Sequence, residues 1–241
     1  MSHRRLAFLI LLLLAPGVDA QYVVVEARGG GYKIGQKVAD DAEIALKEGE
    51  RLVLIGNDGR TVQLRGPYGS GIPGKVAGSG DPKQVLAALM ANRAARTSTM
   101  GVIRAGTTTV KTPDPQAIDI TRSGPRCLME GELPELWRPE PLPAKSFVIF
   151  PADRSWRADF VWEAGQSRMK MPDISKFEGI TTMVIDSDQQ EFVISFSRIP
   201  REIEDPVILS AWMLEKGCIQ QADALLSQMA NPKSAGAPSK E

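Results

Sequence analysis

Histidine is almost missing from this sequence of 241 residues, because the chain carries a single one, His3. That residue lies within a predicted signal peptide, described below. The part of the chain that remains after export would therefore hold no Ser-His-Asp or Cys-His nucleophile system and no zinc site with histidine ligands. Enzyme chemistry would have to rest on a pair of carboxylates, as it does in glycosidases.

An excess of one charge and a membrane-spanning run are also missing. The 29 lysines and arginines balance 29 aspartates and glutamates, which gives no general attraction to nucleic acid or to anionic membranes. Beyond residue 20, no apolar run approaches the roughly 20 residues that a spanning helix needs. We therefore expect no nucleic-acid partner and no membrane insertion of the mature chain.

The amino terminus has the three parts of a secretory signal peptide. A basic start, "MSHRR", precedes the apolar run "LAFLILLLL", and "PGVDA" then breaks the helix and ends in small residues. We predict a signal peptide over residues 1–20 with cleavage after Ala20, and hence a periplasmic protein. The alternative is an uncleaved anchor, but the apolar run is too short to cross a bilayer.

Cysteine is scarce, with two residues, Cys127 and Cys218. In an oxidising compartment, two cysteines permit one intramolecular bond. We predict that bond, which would tie the start of the carboxy-terminal domain to its last helix. Intermolecular pairing and free buried thiols are the alternatives.

The stretch "GSGIPGKV" at residues 69–76 fits most of the phosphate-binding pattern G-x-x-x-x-G-K-[ST]. Val76 stands where a hydroxyl would hold magnesium, and "AGSGDPK" follows in place of a direct helix start. We interpret the stretch as a glycine-rich exit from a β domain and expect no cofactor.

The aromatic residues divide the chain in two. All three tyrosines lie before residue 70, and all four tryptophans lie after residue 130. This distribution favours two cores, which we assign to residues 21–76 and 122–230. A helical and extended linker at 77–121 would join them, and 231–241 would form a disordered tail.

The first core has the pattern of a small β domain. "YVVVEAR" and "IALKEGERLVLIGNDGRTVQLRGPY" give four short strands with a hairpin turn at "NDG". We expect Val53, Ile55, Val62 and Leu64 to share one face of the sheet.

The segment "IGQKVADDAEIALKEGERLVLIGNDGRTVQLRGP" resembles the FecR-like domain, the periplasmic β domain of iron-citrate-type signalling regulators. The matching features are an entry glycine at Gly35, a strand ending at Leu46, the "EGE" turn, and "DGRTVQL" closing on Gly66 and Pro67. The resemblance covers residues 22 to about 68 and implies a role in envelope sensing. The family's amino-terminal cytoplasmic segment, which engages a sigma factor, has no counterpart in this sequence, so the resemblance does not imply direct sigma-factor control.

The linker is basic. "DPKQVLAALMANRAARTSTMGVIRAG" predicts a helix with Pro82 in its first turn, and no acidic residue occurs between Asp81 and Asp114. Arg93, Arg96 and Arg104 are candidate contacts for an acidic partner or for lipid headgroups. The alternative is an ordinary solvated linker.

Trp137 is a further candidate contact for a partner, because an aromatic ring beside acids can bind sugar. Four glutamates surround it in sequence: Glu130, Glu132, Glu135 and Glu140. Four prolines in the same stretch stiffen it, so the alternative is a solvated strip that crosses the surface.

The second core has strand patterns in "SFVIFP", "RADFVWEA", "SRMKMP", "TTMVID" and "EFVISFSRIP", with a shorter one at "LWR". These predict a small sandwich of immunoglobulin or fibronectin type. A helix beginning at Asp205 and Pro206 should pack on it, either unbroken or split at Gly217.

The sequence thus predicts a mainly β (α+β) protein with a FecR-like β domain, a helical linker, and a β-sandwich-like domain that carries a packed carboxy-terminal helix. We expect a non-catalytic periplasmic binding or scaffold protein whose partner is another envelope protein. The alternative is a carboxylate-dependent enzyme that acts on envelope polysaccharide.

Overall fold

The computed structural model describes residues 22–74, 87–89, 91, 114–139, 143–172, 177 and 179–231. The predicted signal peptide, most of the predicted linker and nearly all of the predicted tail lie outside these ranges. Arg93, Arg96 and Arg104 lie outside them as well. The described part of the chain is mainly β, with a pair of helices near its carboxyl end.

The amino-terminal unit consists of two small sheets. The four-stranded sheet has the order β2-β1-β4-β5, and β3 pairs with β6. The strands are β1 (Tyr22–Arg28), β2 (Lys37–Val38), β3 (Glu43–Leu46), β4 (Arg51–Gly56), β5 (Thr61–Arg65) and β6 (Tyr68–Gly71). The predicted hairpin turn joins β4 to β5, and Gly59 supplies its positive φ of 75°. The glycines at 69 and 71 lie in β6, so the phosphate-loop pattern begins inside a strand.

Strand β4 is buried on both faces, which corrects one expectation. Leu52 and Leu54 pair with Leu64 and Val62 in the core of this unit, whereas Val53 and Ile55 do not share their face. The last two pack against the helix pair instead. A strand covered on both sides loses the alternation on which the expectation rested.

The carboxy-terminal unit also has two sheets. A five-stranded sheet has the order β11-β10-β13-β14-β8, and a three-stranded sheet has the order β12-β9-β7. The strands are β7 (Ala117–Asp119), β8 (Gly124–Met129), β9 (Glu135–Trp137), β10 (Lys145–Pro151), β11 (Ala158–Trp162), β12 (Arg168–Lys170), β13 (Thr182–Ser187) and β14 (Gln190–Ile199). Residues of both sheets form one apolar cluster.

Two pairings in this unit are parallel, β8 with β14 and β7 with β9. They depart from the antiparallel sheets of immunoglobulin and fibronectin domains. Strand β7 lies within residues that the sequence analysis placed in the linker, so this end of the linker is part of the sheet structure.

The carboxy-terminal helical segment is split in two, α1 (Pro206–Glu215) and α2 (Ile219–Ala230). The Asp205 carboxylate caps α1, as it accepts hydrogen bonds from the backbone N–H groups of Val207 and Ile208 at 2.8 and 3.2 Å. Gly217 lies between the helices with φ of 79°, a left-handed conformation that favours glycine. Of the two expectations for this segment, the split is confirmed.

The helix pair lies between the two β units and forms a third apolar cluster with both. The amino-terminal sheet contributes Val25, Val53 and Ile55, and α1 contributes Ile208 and Trp212 among others. From the predicted linker, residues 87–89 and 91 are helical, and Leu89 is buried in this cluster. The two predicted cores are thus joined by this third cluster, which we call the shared cluster.

The predicted disulfide is confirmed. Cys127 in β8 and Cys218 at the start of α2 are bonded, with their Cα atoms 5.8 Å apart. Both side chains are buried in the shared cluster, so the bond ties the five-stranded sheet to the helix pair. Within the described ranges, no helix is long and apolar enough to cross a membrane.

Candidate functional site

A groove of about 800 Å³ lies where the helix pair meets β8, β9 and β12. Apolar side chains line most of it, and they come from elements that are far apart in sequence. They are Leu128, Met129, Leu133, Met171, Ile199, Leu209, Met213 and Leu225. A concave, apolar surface with a few polar groups at its margin is the usual form of a binding site.

Three methionines, Met129, Met171 and Met213, give the groove an adaptable lining. A thioether side chain has three rotatable bonds and a polarisable sulfur, so it can adjust to apolar groups of different shape. Leu133 is among the few large apolar residues of the described chain that stay exposed, at 38%. The groove therefore presents apolar surface mainly at Met129, Leu133, Leu209 and Leu225, with Met171 and Met213 buried beneath it.

The polar margin of the groove is built around Arg168, beside the lining residues Asp114 and Glu135. Its guanidinium forms an ion pair with Glu135 at 3.0 Å and a second one with Asp114. Burial lowers the pKa of Arg168, but hydrogen bonds and charge from the two carboxylates outweigh that effect and raise it above its ordinary value. The arginine therefore stays charged and engages both acids.

The wall that carries Asp114 is fixed by backbone contacts. The Asp114 carboxylate accepts hydrogen bonds from the N–H groups of Gln116 and Ala117, both at 2.9 Å, and so shapes the turn into β7. The side-chain amide of Gln221 on α2 donates to the Pro115 carbonyl at 2.7 Å. The helix pair thus holds this wall in place.

Chemically, the arrangement suits binding better than acid catalysis. A glycosidase needs one protonated acid and one free carboxylate on either side of the bond to be cleaved. Here a single arginine engages both Asp114 and Glu135, which leaves neither acid without a cationic partner.

The acidic cluster around Trp137 is not assembled at the surface. Trp137 is only 7% exposed and lies in β9, so its indole offers little area to a protein or a sugar. Glu130 and Glu132 are exposed, Glu135 joins the Arg168 ion pairs, and Glu140 lies outside the described residues. Two of the four glutamates around Trp137, Glu132 and Glu135, line the groove, whereas Trp137 does not. Cys127 of the predicted disulfide lines it as well.

Sequence reasoning missed the groove itself. Its lining comes from separate strands and both helices, and no local pattern shows that Met129, Met171 and Met213 converge. The alternation of "SRMKMP" indicated a strand, but it did not show which surface Arg168 and Met171 would meet. Among the described residues, no three His, Cys, Asp or Glu side chains gather as a metal site would require.

Comparisons with protein-family models, with curated proteins and with solved structures found no match for this chain.

Proposed function

We propose that the protein is a non-catalytic binding or scaffold protein of the periplasm that acts in envelope sensing or assembly. The observation that carries this proposal is the open apolar groove beside the helix pair, whose two carboxylates are both paired with Arg168. In this proposal, the groove receives apolar side chains from another envelope protein.

Two features of the sequence support the location and the sensing role. The signal-peptide pattern of residues 1–20 supports export, and the buried disulfide is the kind of bond that persists in an oxidising compartment. The likeness of the amino-terminal unit to a FecR-like domain supports a role in sensing. We also propose a sandwich-like arrangement for the carboxy-terminal unit, because both of its sheets contribute to one cluster.

A carboxylate-dependent enzyme acting on envelope polysaccharide is the second candidate. The observation in its favour is that Asp114 and Glu135 line the same groove. For catalysis, one of these acids would have to leave Arg168 when the polysaccharide binds.

The binding proposal can be tested by site-specific photo-crosslinking in the periplasm of a Gram-negative host. A photoreactive residue replaces Leu133 at the groove, and a control replaces Val193 on β14, which is 46% exposed. We expect a discrete crosslinked product from position 133 and none from position 193. Equal labelling at both positions would contradict the proposal.

A second assay on the same protein distinguishes binding from catalysis. Purified protein is incubated with isolated envelope polysaccharide, and the release of reducing ends is measured for the unchanged chain and for Glu135→Gln. The binding proposal expects no release above a blank without protein. Release that disappears in Glu135→Gln would support the enzyme instead.

A further inference from the structure

The two ends of the five-stranded sheet differ in how their backbone edges are covered. At the β8 end, the side-chain amide of Gln221 accepts a hydrogen bond from the Cys127 N–H and donates one to the Cys127 carbonyl, both at 2.7 Å. This amide makes the two backbone hydrogen bonds that a neighbouring strand would otherwise make at Cys127. Helix α2 therefore closes the β8 edge.

At the opposite end, β11 pairs with β10 on one side. In the part of the chain that the structure describes, no strand pairs with its other side. An edge strand with unpaired N–H and carbonyl groups is a template for a further strand. Val161 on this edge strand is 54% exposed, a large fraction for an apolar side chain.

The residues of β11 alternate between two faces. Trp162 is buried in the apolar cluster of the carboxy-terminal unit, and Phe160 packs against that cluster while remaining partly exposed. The ring of Phe160 stacks on that of Phe147 at 5.3 Å. Arg157, Asp159, Val161 and Glu163 are exposed and alternate with these inward residues.

From this arrangement we propose that β11 pairs antiparallel with β11 of a second copy of the chain and joins two five-stranded sheets into one. The charges along the strand indicate that its partner is a second copy of the same strand. When two identical strands pair about a twofold axis, residues of the same face stand opposite each other, so each register has one residue at its centre.

The register centred on Phe160 pairs all five residues of β11. It sets Arg157 opposite Glu163 of the second copy, twice by symmetry. A register centred on Asp159 would set two aspartates opposite each other, and one centred on Val161 would set Asp159 opposite Glu163. Like charges directly opposite destabilise a strand pair, and of the three registers that pair at least three residues of β11, only the one centred on Phe160 avoids them.

The same register continues the aromatic packing of the core. It brings Phe160 opposite Phe160 of the second copy, so the Phe147–Phe160 stack of each chain becomes part of a row of four rings across the dimer interface. The contact uses one short strand per chain, so it buries less surface than the roughly 1,600 Å² of a standard interface. We therefore expect a dimer that dissociates on dilution.

Two variants of the full-length chain that each add one cysteine test the register, Asp159→Cys and Val161→Cys. In the proposed dimer, position 159 of one copy stands opposite position 161 of the other, at about 5 Å between Cα atoms, within disulfide range. After mild oxidation, we expect a mixture of the two variants to form a disulfide-linked dimer in higher yield than either variant alone. A mixture of Asp159→Cys with Val193→Cys is the collision control.

A charge reversal tests the affinity. Glu163→Arg sets two arginines opposite each other, and we expect the dissociation constant of the dimer, from sedimentation velocity, to rise about tenfold. Glu48→Arg, the same change at an exposed turn of the amino-terminal unit, should leave it unchanged. The proposal is overturned if the unchanged chain sediments as a monomer at its highest soluble concentration. It is also overturned if Val161→Cys alone crosslinks as well as the mixture does.

Discussion

Loss of the Cys127–Cys218 disulfide should be among the most damaging changes that this protein can undergo. The bond joins residues separated by 91 positions in the sequence. In the chain-entropy model, closing a loop of this length lowers the entropy of the unfolded chain enough to stabilise the fold by about 4.6 kcal/mol. Replacing both cysteines by alanine removes this contribution and two buried sulfur atoms with it.

The assay is urea-induced unfolding followed by tryptophan fluorescence. Trp212 is buried in the same apolar cluster as both cysteines, so its emission reports on this region. We expect the free energy of unfolding to fall by about 4 kcal/mol or more in Cys127→Ala, in Cys218→Ala and in the double variant. The single effects should not add, because either change breaks the same bond.

Two results would refute this reasoning. One is a double variant that loses less than about 1 kcal/mol, the size of an ordinary point substitution. The other is a double variant whose loss equals the sum of the two single losses. The unchanged chain in reductant serves as the control and should unfold like the double variant.

Three further predictions concern single side chains. A hydrogen bond from Lys216, at 2.9 Å, lowers the pKa of Glu26 below 4.5. The pair therefore stabilises the fold above pH 4.5, and this stabilisation is lost as the pH falls through the folded-state pKa. Glu26→Gln should remove this part of the pH dependence of the free energy of unfolding, measured in urea titrations. Gln221→Leu should lower the free energy of unfolding by about 3 kcal/mol in the same assay, because it leaves the N–H and the carbonyl of Cys127 without their hydrogen bonds to the Gln221 amide. Arg138→Lys should lower the free energy of unfolding by about 2 kcal/mol. Three different nitrogens of the buried guanidinium donate to three backbone carbonyls, and the single Nζ of a lysine cannot reach all three. Little change in either unfolding energy would contradict these assignments.

Local chemistry made several parts of the fold predictable. "NDG" indicated the β4–β5 hairpin because its glycine adopts a positive φ. Asp205 followed by Pro206 indicated where α1 begins, and Gly217 indicated where the helical segment could break. The disulfide followed from having two cysteines and a predicted oxidising compartment. Each of these signals lies within a few residues or in the composition.

Features that depend on contacts between distant segments were not predictable. Val53 and Ile55 were expected on the same face as Val62 and Leu64, but the helix pair covers the second face of β4. The parallel pairing of β8 with β14 joins segments about 70 residues apart without any local signal. Trp137 lies in an acidic, proline-rich stretch that suggested a surface strip, yet β9 pairs on both sides and the indole is buried.

The shared cluster leads to a prediction about how the two β units are held together. Val25, Val53 and Ile55 of the amino-terminal sheet pack against the helix pair. Around them, Lys216 pairs with Glu26, and the Gln63 amide donates to the Glu215 carboxylate at 2.6 Å. Both cysteines lie in the carboxy-terminal part of the chain, so the disulfide does not link the two units.

Cleavage of the connecting chain should therefore leave the two units associated. We suggest inserting a specific protease site between residues 105 and 106 of the full-length protein, cutting it, and following the fragments by size-exclusion chromatography. We expect the fragments to co-elute, because their separation would expose buried apolar surface on both. Val53→Asp places a charge in that surface and should make the cut fragments elute apart, whereas Glu48→Arg at an exposed turn should not. Fragments of the unchanged chain that separate at once would mean that the shared cluster contributes little, and that each unit is stable without the other.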